Sequence, residues 1–458
     1  MRKSNIDMCN GPLLNKIILY TIPIIFTGIL QLLFNAADLV IVGRFGSSGS
    51  NAVAAVGATN SLTHLIINFF IGCSVGSGVT VAQAVGANNK EELEKSIHTA
   101  IPLAIIGGAA LSVLGILLSR PLLELMSTPA EIIDLSDVYM KIYFSGLVFT
   151  MLYNFGAAIL RAMGDTKRPL VYLTISGIIN VILNIFFVTV LKLDVAGVAI
   201  ATVISQIVSS ILVIGRLMHN NTYCRLELKK LRFNKNSLKK ILKIGIPSGI
   251  QSSLFSISNV IIQSSINSLS YISGLMAGNS AASSIEGFIY TTINSFEQTS
   301  LNFTGQNVGA KKYDRVKKIF ILSIILVTLV GIVFGAVVVS IGEQLLGFYI
   351  TDSADAIKMG VLRLSFICLT YFLCGIMGVT TGSLRGMGVS LIPMFLCVFG
   401  VCGIRIGWIM TVFQIPAYHT PQSLYVSFPI SWTVTFIMEL ITFLIIYNKR
   451  KNISKKYG

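Results

Sequence analysis

The chain has 458 residues, 53% of them apolar and 12% charged, with a mean hydropathy of +0.78. That composition excludes a soluble single globule and a disordered chain, and it places the protein among membrane proteins. The formal net charge of +16 then reports either membrane topology or a polyanionic partner, and its placement along the chain decides which.

A helix needs about 20 consecutive apolar residues to cross about 30 Å of hydrocarbon. Twelve such stretches run near 17–42, 52–83, 99–118, 138–160, 169–190 and 195–218, then near 244–270, 280–305, 319–341, 360–383, 389–413 and 424–447. Sustained polar/apolar alternation is missing, which excludes a strand-built barrel. The expected fold class is all-α integral membrane. The first span is too long, and too weakly followed by a cleavage site, to read as a removable signal peptide.

That first span carries Gln31, Phe34, Asn35 and Asp38. Gln31, Asn35 and Asp38 lie at spacings of seven and three, which puts them on one helical face. A carboxylate at membrane depth is costly enough to be a functional candidate by default. It either exchanges protons or is kept charged by sodium or an amide network. The competing reading is an acid near the outer interface that only packs helices. In the fifth span, Asn180 and Asn184 are four residues apart and face one point, able to orient Asp38 or lend carbonyl oxygens to a cation. Amides on membrane helices also bond neighbouring helices for packing alone.

With both termini placed inside, the loops on that side collect 28 of the 35 basic residues, beginning with Arg2, Lys3 and Lys16. Outside loops collect acids instead: Glu124, Glu131, Asp134, Asp137, Glu343, Asp352 and Asp355. Basic residues are retained on the cytoplasmic side during insertion. The charge therefore predicts a multi-pass cell-membrane protein with cytoplasmic termini, in contact with anionic lipid and not with nucleic acid. The stretch 219–243, with Arg225, Lys229, Lys230, Arg232, Lys235, Lys239 and Lys240, reads as a basic linker on lipid headgroups. It divides an N-lobe, 1–225, from a C-lobe, 226–458. Seven cysteines, Cys9 and Cys224 among them, give no disulfide or zinc framework.

The eighth span is the most polar, with Glu286, Tyr290, Asn294, Glu297, Gln298 and Asn302. It cannot face lipid all round. Glu286 and Glu297 are eleven residues apart, about three turns, and lie on nearly one face. They read either as carboxylates facing an organic cation or as acids neutralised by Arg405 of the eleventh span, the candidate charge partner. Glu439 of the last span is a fourth membrane acid. Aromatic residues including Phe34 and Tyr290 sit where cation–π contacts would need them, although most aromatic residues at helical spacing only pack.

The second half repeats the first. Pro23 answers Pro247 and Pro169 answers Pro393, both shifted by 224 residues. Leu160-Arg161-Ala162-Met163-Gly164 answers Leu384-Arg385-Gly386-Met387-Gly388 at the same shift, and Ala82–Ala87 answers Gly305–Ala310 at 223. Repeats this long are whole lobes. Six spans per lobe give both the same orientation, so their pseudo-two-fold axis should run along the membrane normal, with a cleft between them.

No GxxxxGK[ST] loop is present to cradle a nucleotide, which leaves an ion gradient as the economical energy source. His64, His98, His219 and His419 form no metal-ligand spacing and no nucleophile–base set is visible, so an enzyme is not indicated. Taken together, the two six-span halves, Pro23 to Asp38, the paired Gln83 and Gln306 segments, the Arg161–Asp165 turn and Asn180 to Asn184 resemble the multidrug and toxic compound extrusion (MATE) family. The resemblance covers essentially the full chain. It implies a rocker-switch antiporter that exports cationic or amphipathic compounds in exchange for H⁺ or Na⁺, with no other cofactor. It also implies coupling at Asp38 and Asn180. From the residues themselves, Asn35 and Asn184 are expected to hold Asp38, and the substrate cleft is expected to include Gln31, Phe34, Glu286, Tyr290 and Glu297. Asn184 stands where many prokaryotic relatives carry an aspartate, so one carboxylate serves where they have two. The rival reading is a flippase of lipids or lipid-linked oligosaccharides. A monomer is expected, since one chain already holds both lobes.

Overall fold

The computed structural model describes residues 5–219, 225–351 and 353–457, with no side-chain description at 60–62, 64–65 and 455–457. Expectations for Arg2, Lys3, Cys224, Asp352 and the His64 side chain lie outside the described residues. Among those described there is no strand. The principal helices are α1 Leu13–Phe45, α2 Gly49–Gly86, α3 Lys90–Leu125, α4 Ala130–Ser145, α5 Leu147–Ala162, α6 Lys167–Ile185, α7 Asp194–Met218 and α8 Lys235–Asn267. They continue with α9 Leu275–Gly309, α10 Tyr313–Ser340, α11 Gly342–Gly347, α12 Ala354–Cys368, α13 Tyr371–Gly386, α14 Leu391–Cys397, α15 Ile404–Met410 and α16 Pro421–Tyr457.

Eight of these segments are long and apolar enough to cross a membrane, and ten if each bent pair is one span. The pairs are α4 with α5, bent by 48°, and α12 with α13, bent by 42°. At the second bend the Thr370 hydroxyl donates back to the carbonyls of Phe366 and Ile367, at 2.8 and 3.1 Å, which opens the helical ladder there. α8 and α9 complete the twelve; their serines, asparagines and glutamines are what lower their hydropathy. Short π-helical turns, Phe186–Val190 after α6 and Val398–Gly403 between α14 and α15, each lie inside a single span.

The lipid-facing arrangement is plain in α3. Ala104, Gly108, Ser112, Gly115 and Ser119 are buried along one face, while Ile106, Val113, Leu117 and Leu125 point outward, Leu125 at 81% exposure. Small residues inside and large apolar ones outside invert the soluble pattern, because helices in lipid associate by close backbone approach.

The repeat motifs prove to be helix stops. After α5 and α13 the chain turns at Gly164 and Gly388, with φ of +89° and +79°, a conformation glycine adopts without Cβ strain. After α2 and α9, Asn88 and Lys311 take positive φ. The next amides then reach back to Ala84 and Asn307 at 3.1 and 2.8 Å, a Schellman closure. The shared sequence thus records shared turn geometry.

The chain divides into two compact units, Met1–Asp7 with Ile22–Gly249, and Met8–Thr21 with Ile250–Gly458. Each takes in the opening turns of a helix, α8 and α1 respectively, whose remainder belongs to the other, so the division falls beyond the 225/226 boundary read from span counting. The basic linker keeps Arg225, Lys229, Lys230, Arg232, Lys235, Lys239 and Lys240 exposed, as a solvated strap would, and it is also anchored. Leu226 is 1% exposed, and the segment is pinned to the start of α3. His98 Nε2 accepts from the Glu227 amide at 3.1 Å, and the Thr99 hydroxyl accepts from the Asn234 amide at 3.1 Å. Lys230 bridges Glu94 and Glu227 at 3.1 and 3.0 Å, and Lys240 pairs with Glu92. The proximity of Lys230 holds the Glu227 carboxyl below its ordinary range.

Candidate functional site

In the first unit, Asp38 on α1 is met by α6 and α7. Asn184 Nδ2 donates to the Asp38 carboxylate and lies 3.2 Å from Asn180 Oδ1. Asn180 Nδ2 donates to the Thr202 hydroxyl at 3.4 Å, and Thr202 is also within hydrogen-bonding reach of Asp38. Tyr139 and Tyr143 of α4, their rings stacked at 6.0 Å, lie within electrostatic reach of the same carboxylate. Asn184 Oδ1 is fully buried without a partner among the described residues. No Lys or Arg pairs with Asp38 among them, so this acid at membrane depth is surrounded by neutral groups. Such an oxygen-rich set fits a hard monovalent cation, and turning the Asn184 amide over would let Oδ1 accept a carboxylic proton from Asp38.

The sequence did not point to Tyr139, Tyr143 or Thr202, which lie 101 or more residues from Asp38 and reach it only through helix packing. Asn35 is a correction. It is exposed and makes no hydrogen bond among the described residues. The spacing of three keeps it near the face of Asp38, but α6 and α7 reach Asp38 and leave Asn35 uncovered. Gln31 is likewise exposed, and Phe34 packs its ring against Gly177 of α6.

In the second unit the two carboxylates of α9 already carry counter-charges, and neither comes from Arg405. Arg363 of α12 grips Glu286 through Nε–Oε1 and Nη2–Oε2 bonds of 2.7 and 2.8 Å. Its Nη1 donates to Asn279, which in turn bonds Gln263 and accepts from the Tyr425 hydroxyl at 3.4 Å. Arg385 Nη1 holds Glu297 at 2.8 Å and its Nη2 holds Gln251 at 2.7 Å. Tyr290 is 45% exposed. Both arginines were overlooked as interior bases, although Arg363 stands inside the tenth apolar run and Arg385 just past its end.

Arg405 lies elsewhere. Its Nε donates to Ser431 at 3.0 Å, and its guanidinium stacks over Phe428 at 4.0 Å and Trp432 at 5.6 Å. It forms no salt bridge among the described residues, because the rotation of α9 presents Glu286 to α12 and Glu297 to α13. Glu439, fully buried on α16, accepts from Thr381 at 2.8 and 2.9 Å and from the Cys397 thiol at 3.2 Å.

A duplicated twelve-helix bundle, apolar outside and carrying acids within, is a membrane transporter architecture. The MatE family model matches residues 23–186 and 247–410, two stretches separated by the shift seen in the repeats. The chain belongs to this family of multidrug efflux transporters, and it is not an enzyme. It is 27% identical over 444 residues to the probable multidrug resistance protein YoeA of Bacillus subtilis, covering 94% of each chain. It is 24% identical over 402 residues to the probable multidrug resistance protein NorM of Thermotoga maritima, covering 85% of this chain and 84% of that one. A crystal structure described as MATE in the bent conformation shares its fold with a TM-score of 0.88 at 20% identity, covering 98% of both chains.

Proposed function

We propose that the protein is a secondary antiporter of the cell membrane, both termini cytoplasmic, that exports amphipathic small molecules in exchange for H⁺ or Na⁺ bound at Asp38. The observation that carries this is the Asp38–Asn184–Asn180 cluster. A half-buried carboxylate at membrane depth with only neutral donors around it has no permanent counter-charge, so a mobile cation is what completes it. A sodium ion would be held by the Asp38 carboxylate with the amide oxygens of Asn180 and Asn184. A proton would sit on Asp38 itself. Loading the site favours one orientation of the transporter, and differential affinity between orientations couples ion entry to export by rocker-switch exchange. The substrate class that fits these groups is amphipathic. Its cationic half loses support, because Glu286 and Glu297 are each paired with an arginine.

The test is efflux of fluorescent amphipathic dyes of either charge from proteoliposomes, with a proton gradient and a sodium gradient imposed separately. Export driven by one gradient and lost in Asp38→Asn is expected, with the variant still monodisperse and folded. Gradient-independent movement, or unchanged export in Asp38→Asn, overturns the proposal.

A further inference from the structure

Among the described residues the second unit contains three buried arginines, and two of them are spoken for. Arg363 and Arg385 are neutralised by Glu286 and Glu297. Arg405 is 4% exposed, and its only hydrogen bond among the described residues runs from Nε to Ser431. Neither Nη of Arg405 has a hydrogen-bond partner among the described residues. Nor is either one among the fully enclosed orphan atoms, which include Arg385 Nε, so the open edge of the guanidinium still meets accessible space.

The surroundings sharpen the anomaly. No carboxylate lies within salt-bridge distance of Arg405 among the described residues, since the acids of α9 are taken by Arg363 and Arg385. Phe428 and Trp432 offer ring faces, and an aromatic face recovers only a fraction of what a guanidinium loses on leaving water. A cation at bilayer depth is costly, and it is expected to face a partner or a water-filled cavity. The backbone setting is also unusual: Arg405 is the second residue after the π-helical turn Val398–Gly403, and such turns are frequent at functional sites.

We infer that Arg405, flanked by Phe428 and Trp432, is the recognition site for the anionic group of an amphipathic aromatic substrate. The two Nη groups present a fork that a carboxylate, sulfonate or phosphate oxygen pair can accept from. Phe428 and Trp432, 8% and 4% exposed, lie under the guanidinium and hold the fork in place beside the ligand. The inference rests on the export reading only in calling this ligand a substrate; binding itself needs no gradient.

The chain has two tryptophans, Trp408 and Trp432, so Trp408→Phe leaves Trp432 as a reporter beside the guanidinium. In detergent-purified full-length Trp408→Phe protein, Trp432 quenching is titrated with naphthalene-1-sulfonate, its neutral sulfonamide and trimethyl-1-naphthylammonium. The sulfonate should bind about ten-fold more tightly than either analogue, as expected for a charge-assisted contact. Arg405→Gln should abolish that preference while leaving sulfonamide affinity unchanged, and Arg405→Lys should retain part of it. Equal affinities, a cation preference, or an anion preference that survives Arg405→Gln overturns the site. Should Arg405→Gln fail to purify as a monodisperse species, Arg405→Lys decides, since full sulfonate affinity without the fork overturns it. Displacement of the sulfonate by phosphatidylglycerol in mixed micelles would identify the occupant as a lipid headgroup, and its retention would identify a solute; either occupant is the anion proposed. Anion binding that persists while gradient-driven export is absent would sink the antiporter proposal and leave this site standing.

Discussion

Arg363 and Glu286 meet as a two-pronged buried ion pair, with bonds of 2.7 and 2.8 Å and both side chains less than a tenth exposed. A pair of this kind is destabilising to break and inexpensive to replace, because the cost lies in stranding one charge. Glu286→Gln should therefore lower stability by about 3–5 kcal/mol. The double variant Glu286→Met/Arg363→Met should recover most of that loss. Thermal unfolding in detergent checks both. A single variant as stable as the parent would mean the pair carries no structural load.

Asn184 reaches Asp38 across 146 residues of chain. A hydrogen bond to a charged acceptor contributes about 1.5–3 kcal/mol. Asn184→Ala should then shift apparent affinity for the coupling ion by about ten- to a hundred-fold, toward weaker binding of Na⁺, which loses an amide oxygen, and toward tighter binding of H⁺, which no longer competes with the Nδ2 donor for the carboxylate. Half-saturation of dye efflux against external ion concentration measures it. An unchanged half-saturation would remove Asn184 from the site.

Phe34 stands against Gly177 so closely that a Cβ on residue 177 would lie 1.9 Å from its ring. Gly177→Ala forces the ring to move, and overpacking of this kind costs about 1–3 kcal/mol. Because Phe34 is one helical turn before Asp38, transport should fall along with stability. Phe34→Leu in the same chain should restore thermal stability toward the parent value, a recovery that a defect elsewhere in α6 would not show.

The linker's seat on α3 depends on His98. Replacing it in His98→Leu leaves the Glu227 amide without its acceptor, a loss of about 1–3 kcal/mol for a donor left unsatisfied. Local opening should become more frequent, and trypsin should cut at Lys229, Lys230 or Arg232 correspondingly faster. Limited proteolysis of purified protein reads the rate. Equal cleavage rates would mean that the salt bridges of Lys230 and Lys240 hold the segment unaided.

The twelve spans, the duplicated halves and the candidacy of Asp38 were legible in one dimension. Span length, charge bias and repeat offset are properties of consecutive residues, and a lone acid in an apolar run announces its own cost wherever it folds. The turn glycines Gly164 and Gly388 were legible as a match but not as a conformation. What the sequence could not decide was which charge meets which. Glu286 and Arg363 are separated by 77 positions, and Glu297 and Arg385 by 88. Their pairing depends on how α9 is rotated against α12 and α13, a choice made by close packing across the whole interface. The same packing left Asn35 uncovered, brought Thr202, Tyr139 and Tyr143 to Asp38, and left Arg405 without an acid among the described residues. Local sequence thus determined which groups enter the membrane, while tertiary packing decided which of them remain unneutralised, because counter-charges at bilayer depth come only from neighbouring helices.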